Sequence, residues 1–247
     1  MYALAAKGHS ALLLANTLPP SFFHKRTHPP CQATDAFFCP GWALDNLHTY
    51  LDPALKQAFL VVVSVAVGFA IAMALAVLSH RYGPLVPPII GLTGVLYTVP
   101  SIAFFFLLLP ITGFGDDTAI IALSAYTLQI IYRNALAGLA NVPGESRDAG
   151  RGMGMTRSQL LWRVELPLAV PEIIAGLRIA TVSTMALATL AFLAGAGGLG
   201  TELIGQPSFK TNIVLVGVLV ILMAIVFDLA LLVVQRLTTP WRRAVPA

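Results

Sequence analysis

The sequence predicts an all-α polytopic membrane protein, and three observations lead there. First, 57% of the residues are hydrophobic and only 11% charged, with a mean hydropathy of +0.81, whereas a soluble domain carries about 25% charged residues. That much apolar surface cannot be hidden in one soluble core. Second, five apolar stretches are long enough to be membrane spans; a helix rising about 1.5 Å per residue needs roughly 20 such residues to cross ~30 Å of hydrocarbon. Third, these runs are too long and too uniformly apolar for barrel strands, and backbone groups in lipid must find their hydrogen bonds within their own segment.

The first stretch, about 57–78, carries no charge, and the second, about 85–109, is interrupted by Pro100. The third, about 118–140, contains Arg133, and the fourth, about 172–194, contains Arg178. The fifth, about 212–235, contains Asp228. The transmembrane domain is therefore expected over residues 54–236, with a polar loop at 141–171 between the third and fourth stretches and a short tail at 237–247.

Residues 1–53 read as an N-terminal tail, partly disordered and outside the cytoplasm. Its apolar stretch near Ala11–Ala15 is broken by Lys7–Ser10 and ended by Pro19 and Pro20, so it is too short for a span and lacks the order of a signal peptide. Cys31 and Cys39 are either a disulfide pair in an external loop or two incidental thiols. No Cys/His cluster has metal-ligand spacing, so no metal and no cofactor is expected.

Orientation follows from where the basic residues fall in short loops. Arg81, Arg147, Arg151, Arg157, Arg163, Arg236, Arg242 and Arg243 share one side, and of the intervening loops only one holds a basic residue, Lys210. The 141–171 loop and the C-terminus are thus expected in the cytoplasm and the N-terminus outside, with Lys7, Lys25 and Arg26 weakly opposing this from far along the tail. The net charge of +4 does not suggest nucleic acid, because the basic residues stand singly between apolar runs.

The 141–171 loop is the most informative polar segment. Asp148, Ala149 and Arg151 suit a short helix, and Gly152 and Gly154 would leave its end bare and able to approach another surface. Thr156 and Gln159 have the spacing of a capping box that starts a second helix. Leu160, Leu161, Val164 and Leu168 give that helix an apolar face, and Pro167 and Pro171 are expected to end or kink it before the fourth span. A helix lying passively on lipid headgroups is the plainer reading. Within the spans, Arg133, Arg178 and Asp228 fall at one depth, so Asp228 is expected to pair with one of the arginines; the alternative is arginines that snorkel and an aspartate in a polar crevice. Gly195, Gly197, Gly198 and Gly200 form a run read either as an external gate, where small residues allow close helix contact, or as a flexible linker.

The pattern Asp148-Ala149-Gly150-x3-Gly154-x9-Val164-x-Leu166-Pro167 resembles the coupling loop of ABC importer permeases, whose usual form is Glu-Ala-Ala-x3-Gly-x9-Ile-x-Leu-Pro. Asp148, Gly150 and Val164 depart from it conservatively. From about residue 54 to 236 the chain looks like permeases of the osmoprotectant branch, those for glycine betaine, choline and carnitine. The matching runs are Arg151–Thr156 with Gly152 and Met153, Val164–Leu168, Ala175–Arg178, Gly195–Gly200, Thr98–Ser101 and Tyr132–Asn134. The resemblance implies the five-span core of a type I ABC importer permease in the cell membrane. It also implies a second permease subunit, homodimeric or paralogous, cytoplasmic ABC ATPase subunits docked on the coupling loop, and an extracytoplasmic solute-binding protein. No enzymatic activity is expected, since the sequence lacks the Gly-x4-Gly-Lys-Ser/Thr phosphate loop. Two alternatives remain: a permease for another small solute such as an amino acid or sulfonate, and an ion-gradient-driven transporter with Asp228 as its ion site. Tyr97, Phe104, Phe105, Phe106 and Tyr126 are candidates for lining a path, but no solute-binding residue is assigned.

Overall fold

The computed structural model describes residues 37–240. Among these every regular element is helical. Helix α1 (Pro40–Asn46) and a 3₁₀ turn lead into α2 (Leu51–Arg81), followed by α3 (Val86–Thr98), α4 (Ser101–Thr112) and α5 (Asp116–Ala140). Then come α6 (Gly144–Gly152), α7 (Arg157–Leu160), a π-helical turn (Leu161–Glu165) and α8 (Leu166–Ala188). A 3₁₀ turn (Ala191–Ala194), α9 (Gly200–Gly205) and α10 (Lys210–Thr238) complete the described chain.

Helix α5 is the axis of the bundle, packed by α2, α8, α3 and α4. Close approach is set by small residues: a Cβ on Gly176 of α8 would lie 2.4 Å from Asn134 Cβ on α5, so only hydrogen lets these two backbones meet. Because its neighbours shield it from lipid, α5 can carry polar groups, and these are paired. Ser124 Oγ donates to Ser64 O at 3.0 Å, Thr93 Oγ1 donates to Gln129 Oε1 at 2.6 Å, and the Tyr132 hydroxyl lies 2.7 Å from Ser79 Oγ.

That polarity bears on the span count. Three helical stretches, Pro40–Arg81, Arg157–Ala188 and Lys210–Thr238, are long and apolar enough to cross a membrane, or four if α3 and α4 together make one crossing. Helix α5 reaches a membrane's thickness, about 37 Å at ~1.5 Å per residue, but is too polar to be counted by composition. The expected five crossings therefore turn on α5, whose apolar cover is supplied by other helices.

The stretch expected as one span over 85–109 is instead two helices meeting at 99°. Pro100 has no N–H to continue the helical ladder and holds Val99 extended, at φ −64° and ψ 127°. The carbonyl that this break frees on Val99 accepts a hydrogen bond from the Tyr126 hydroxyl. A second correction concerns the fourth stretch. Its helical stretch runs from Arg157 through the π turn to Ala188, so neither Pro167 nor Pro171 ends it. The π turn immediately before Leu166 relaxes the ladder where two proline nitrogens cannot donate, which lets Pro167 and Pro171 sit inside a continuous helix.

Part of the expected tail is helical, over Pro40–Asn46 and Leu47–Tyr50. From Pro40 onward it is folded, with Ala43 buried and Trp42 edge-on to Phe209 at 4.6 Å between ring centroids. Cys39 N donates to Thr211 Oγ1 at 3.2 Å, and the Tyr50 hydroxyl donates to Asn212 Oδ1, so the entry to α2 rests on the start of α10. Whether Cys31 and Cys39 form a disulfide or are incidental thiols, and the expected disorder of the first residues, turn on Cys31 and its neighbours, which, like the tail beyond residue 240, lie outside the described residues.

Candidate functional site: the α6 knob and its base

Helix α6 follows Pro143, and its N-terminal turn carries Glu145 while Arg151 lies in its last turn, charges that suit the two ends of the helix dipole. It presents Asp148, Ala149, Arg151, Gly152, Met153 and Gly154 outward, with the Met153 side chain 70% exposed. Asp148 and Arg151 make a surface pair at 3.3 Å, one turn apart. Gly154 has φ +75°, the left-handed region that favours glycine, and it turns the chain back beneath the helix.

Gly150 faces the other way. It is buried, and a Cβ there would come within 2.6 Å of Leu160 Cδ1, so α6 sits flush on the end of α7. The capping box at Thr156 is present in both directions: Gln159 N donates to Thr156 Oγ1 at 3.3 Å and Thr156 N donates to Gln159 Oε1 at 2.9 Å. Val164 is half-buried above Gly150, and Leu166 and Pro167 open α8. The motif is thus one local unit, an outward knob seated on the foot of a long helix. Its aliphatic Met153 and glycine end suit insertion into a groove better than a flat lipid surface, where an amphipathic helix would lay an apolar face along its length.

The residue that fastens this unit to the bundle has no distinguishing mark in the sequence. Glu165, between Val164 and Leu166, is 6% exposed. Its Oε1 accepts from Arg147 Nε of α6 at 2.9 Å, and its Oε2 lies 2.8 Å from His80 Nε2 in the last turn of α2. Arg147 Nη2 also donates to Leu139 O at 2.6 Å, satisfying a carbonyl at the end of α5 that the helix itself leaves open. Three helices therefore meet at one buried carboxylate, α6, α2 and the helix that becomes α8, and α5 is tied in through Arg147.

Higher in the bundle, Arg178 of α8 and Asp228 of α10 form a two-pronged pair, with Nε–Oδ1 at 2.8 Å and Nη2–Oδ2 at 2.7 Å. Such fork geometry is the strong form of an ion pair. Of the two arginines expected as partners, it is Arg178 that pairs with Asp228, while Arg133 is exposed.

The glycine run forms a defined turn. Gly195, Gly197 and Gly198 all have positive φ, and a Cβ on Gly200 would lie 1.8 Å from Thr189 O. Gln57 of α2, fully buried, holds the turn down: Leu199 N donates to its Oε1 at 3.0 Å while its Nε2 donates to Met185 O at 3.2 Å. Tyr97, Phe104 and Tyr126 cluster edge-to-face beside the α3–α4 break, with centroids 5.7–6.1 Å apart. Phe105 is fully buried and Phe106 exposed on α4. Among the described residues no group of three His, Cys, Asp or Glu is placed to hold a metal ion.

Comparison with known proteins bears on this arrangement. Residues 66–244 match the family model described as the binding-protein-dependent transport system inner membrane component. The chain is 36% identical over 198 residues to the carnitine transport permease OpuCB of Listeria monocytogenes, covering 79% of this chain and 91% of that protein. It is 36% identical over 211 residues to the osmoprotectant import permease OsmW of Salmonella typhimurium, covering 80% and 98%. It is also 36% identical over 180 residues to the choline transport permease OpuBB of Bacillus subtilis, covering 72% and 83%. Among solved structures, the MetNI methionine ABC transporter in inward-facing conformations aligns with a TM-score of 0.66 at 22% identity, covering 77% of this chain and 96% of that one. An amino acid ABC transporter solved with histidines aligns with a TM-score of 0.63 at 18% identity, covering 78% and 95%. At those identities the likeness is one of fold.

Proposed function

Since the chain belongs to the family of binding-protein-dependent transport system inner membrane components, we propose that it is the permease subunit of an ATP-driven importer for osmoprotectants such as glycine betaine, choline or carnitine. Permeases of this family do not themselves hydrolyse ATP, and this chain has no phosphate loop to do so. Hydrolysis takes place on a partner ATPase, and a solute-binding protein delivers the cargo.

The observation that carries the coupling part of this reading is the knob itself: an exposed helix of nine residues, Gly144–Gly152, seated on a helix of 32 residues, Arg157–Ala188, that continues into the bundle. Displacement of α6 by a docked ATPase would act on a stiff lever about 48 Å long at ~1.5 Å per residue. Stiffness comes from helical continuity through the π turn. The basic loops support a cytoplasmic placement for α6 and the C-terminus, with the N-terminus outside. A second permease subunit would complete the translocation path.

Solute class rests on the relatives, whose names converge on carnitine, choline and osmoprotectants. The methionine and amino acid transporters share only the fold. The Asp228 carboxylate that a gradient-driven transporter would use as its ion site is instead ion-paired with Arg178 through both oxygens. Uptake into proteoliposomes containing the permease, its ATPase and its binding protein tests the assignment. Labelled glycine betaine, choline or carnitine should accumulate with ATP and not with an ion gradient. Accumulation of methionine alone, or uptake abolished by an ionophore and indifferent to ATP, would refute it.

A further inference from the structure

Building on this coupling role, we propose that Glu165 is the positioning residue that locks the docking helix to the transmembrane bundle, so that movement of α6 reaches α2, α5 and α8 together. Chain connectivity alone cannot do this. Helix α6 is joined covalently to α5 through Asn141–Pro143 and to α7 through Met153–Thr156, but α2 ended at Arg81 and reaches α6 only by way of α3, α4 and α5. Any thrust delivered to α2 from α6 must cross a non-covalent contact.

Glu165 supplies that contact with direction. One carboxylate oxygen is held by Arg147 of α6 and the other by His80 of α2, while Glu165 itself belongs to the helix that becomes α8. Arg147 adds the end of α5 through Leu139 O. Apolar packing is non-directional and lets helices slide past one another, whereas charge-assisted hydrogen bonds fix both distance and angle. Stability does not explain the carboxylate, since a hydrophobic residue of similar volume commonly holds a buried site as well as an ion pair does. What an apolar residue would not do is tie two different helices at two different atoms. The location fits the role, at the foot of the long α8 helix and within the motif whose outer face is the knob.

Glu165→Gln keeps the shape, removes the charge and weakens both ties. The test compares the unsubstituted permease with E165Q, each purified with its ATPase and reconstituted, measuring ATPase copies retained per permease and solute transported per ATP hydrolysed. Labelled glycine betaine, choline and carnitine serve together as probes. The expected result is undiminished ATPase retention with transport per ATP reduced about tenfold, the fold-change corresponding to loss of a charge-assisted hydrogen bond of about 1.5 kcal/mol. A residue with a merely structural role would lower the yield of folded complex but leave that ratio unchanged in what remains, and this outcome overturns the proposal. If E165Q does not fold, His80→Gln decides, because it spares the Arg147–Glu165 pair: a reduced ratio sustains the lock and an unaltered ratio overturns it. If the unsubstituted permease retains no ATPase, the coupling role itself fails, a result distinguishable from failure of the lock alone.

Discussion

Replacing Asp228 and Arg178 singly and together should reveal a strongly coupled pair. In the intact protein the guanidinium and carboxylate meet at 2.7 and 2.8 Å, with side chains only 26% and 30% exposed between α8 and α10. Asp228→Ala leaves a cation without a partner within a span. A lone arginine there costs roughly 2.5–3.5 kcal/mol on insertion scales, and breaking a buried pair costs roughly 3–5 kcal/mol. Partial exposure argues for the lower end, about 3 kcal/mol. Arg178→Ala strands the carboxylate at a similar cost. The double variant strands nothing and should lose about 3 kcal/mol rather than the additive ~6, an interaction of about 3 kcal/mol. Reversible unfolding of the purified permease by SDS in mixed micelles, followed by circular dichroism, measures all three differences. Single losses that add to within about 0.5 kcal/mol of the double would refute the claim that the pair ties α8 to α10.

Other sites give further expectations. Gly154→Arg places a bulky cation at the end of the knob and requires a φ of +75°, which costs about 1 kcal/mol away from glycine; the variant should insert normally yet lose its ATPase on purification and all ATP-driven uptake. Gln57→Leu strands the buried N–H of Leu199 and should destabilise the permease by about 1–3 kcal/mol, read as a lower midpoint in the same SDS titration. Gly200→Ala drives a methyl to 1.8 Å from Thr189 O and must push the glycine turn off α8; the loss should be about 2 kcal/mol or more, with Ala in place of exposed Gly205 as the harmless control.

How far the sequence could be read depended on whether a feature was local. The long apolar stretches were legible because a span declares itself within one window, and the knob because a polar, glycine-punctuated island between such stretches is too elaborate for a simple connector. The Thr156–Gln159 cap and the pairing of Asp228 with an arginine followed from spacing and from the cost of lone charges in lipid. Pro100 announced an interruption, but its angle is set by how α4 packs on α5, which no local rule supplies. Pro167 and Pro171 misled because a π turn, itself dictated by packing at the foot of α8, absorbs the missing donors. Glu165 and Gln57 were invisible for a simpler reason: their partners His80 and Leu199 stand 85 and 142 residues away, and each looks in sequence like an ordinary polar residue near a span end. Helix α5 was legible as a stretch, yet its polar groups make sense only once the surrounding helices are in place.

The most direct test of the central claim is site-specific crosslinking from the tip of the knob. With Cys31 and Cys39 replaced by serine, Met153→Cys gives one thiol at the exposed apolar residue that caps α6, and a short bifunctional reagent is applied to the assembled transporter in inside-out vesicles. The account predicts a crosslinked product containing the nucleotide-hydrolysing subunit, formed from the cytoplasmic side and altered in yield when ATP is bound. An active transporter in which that thiol reacts only from the outside, or never captures the ATPase, would contradict it.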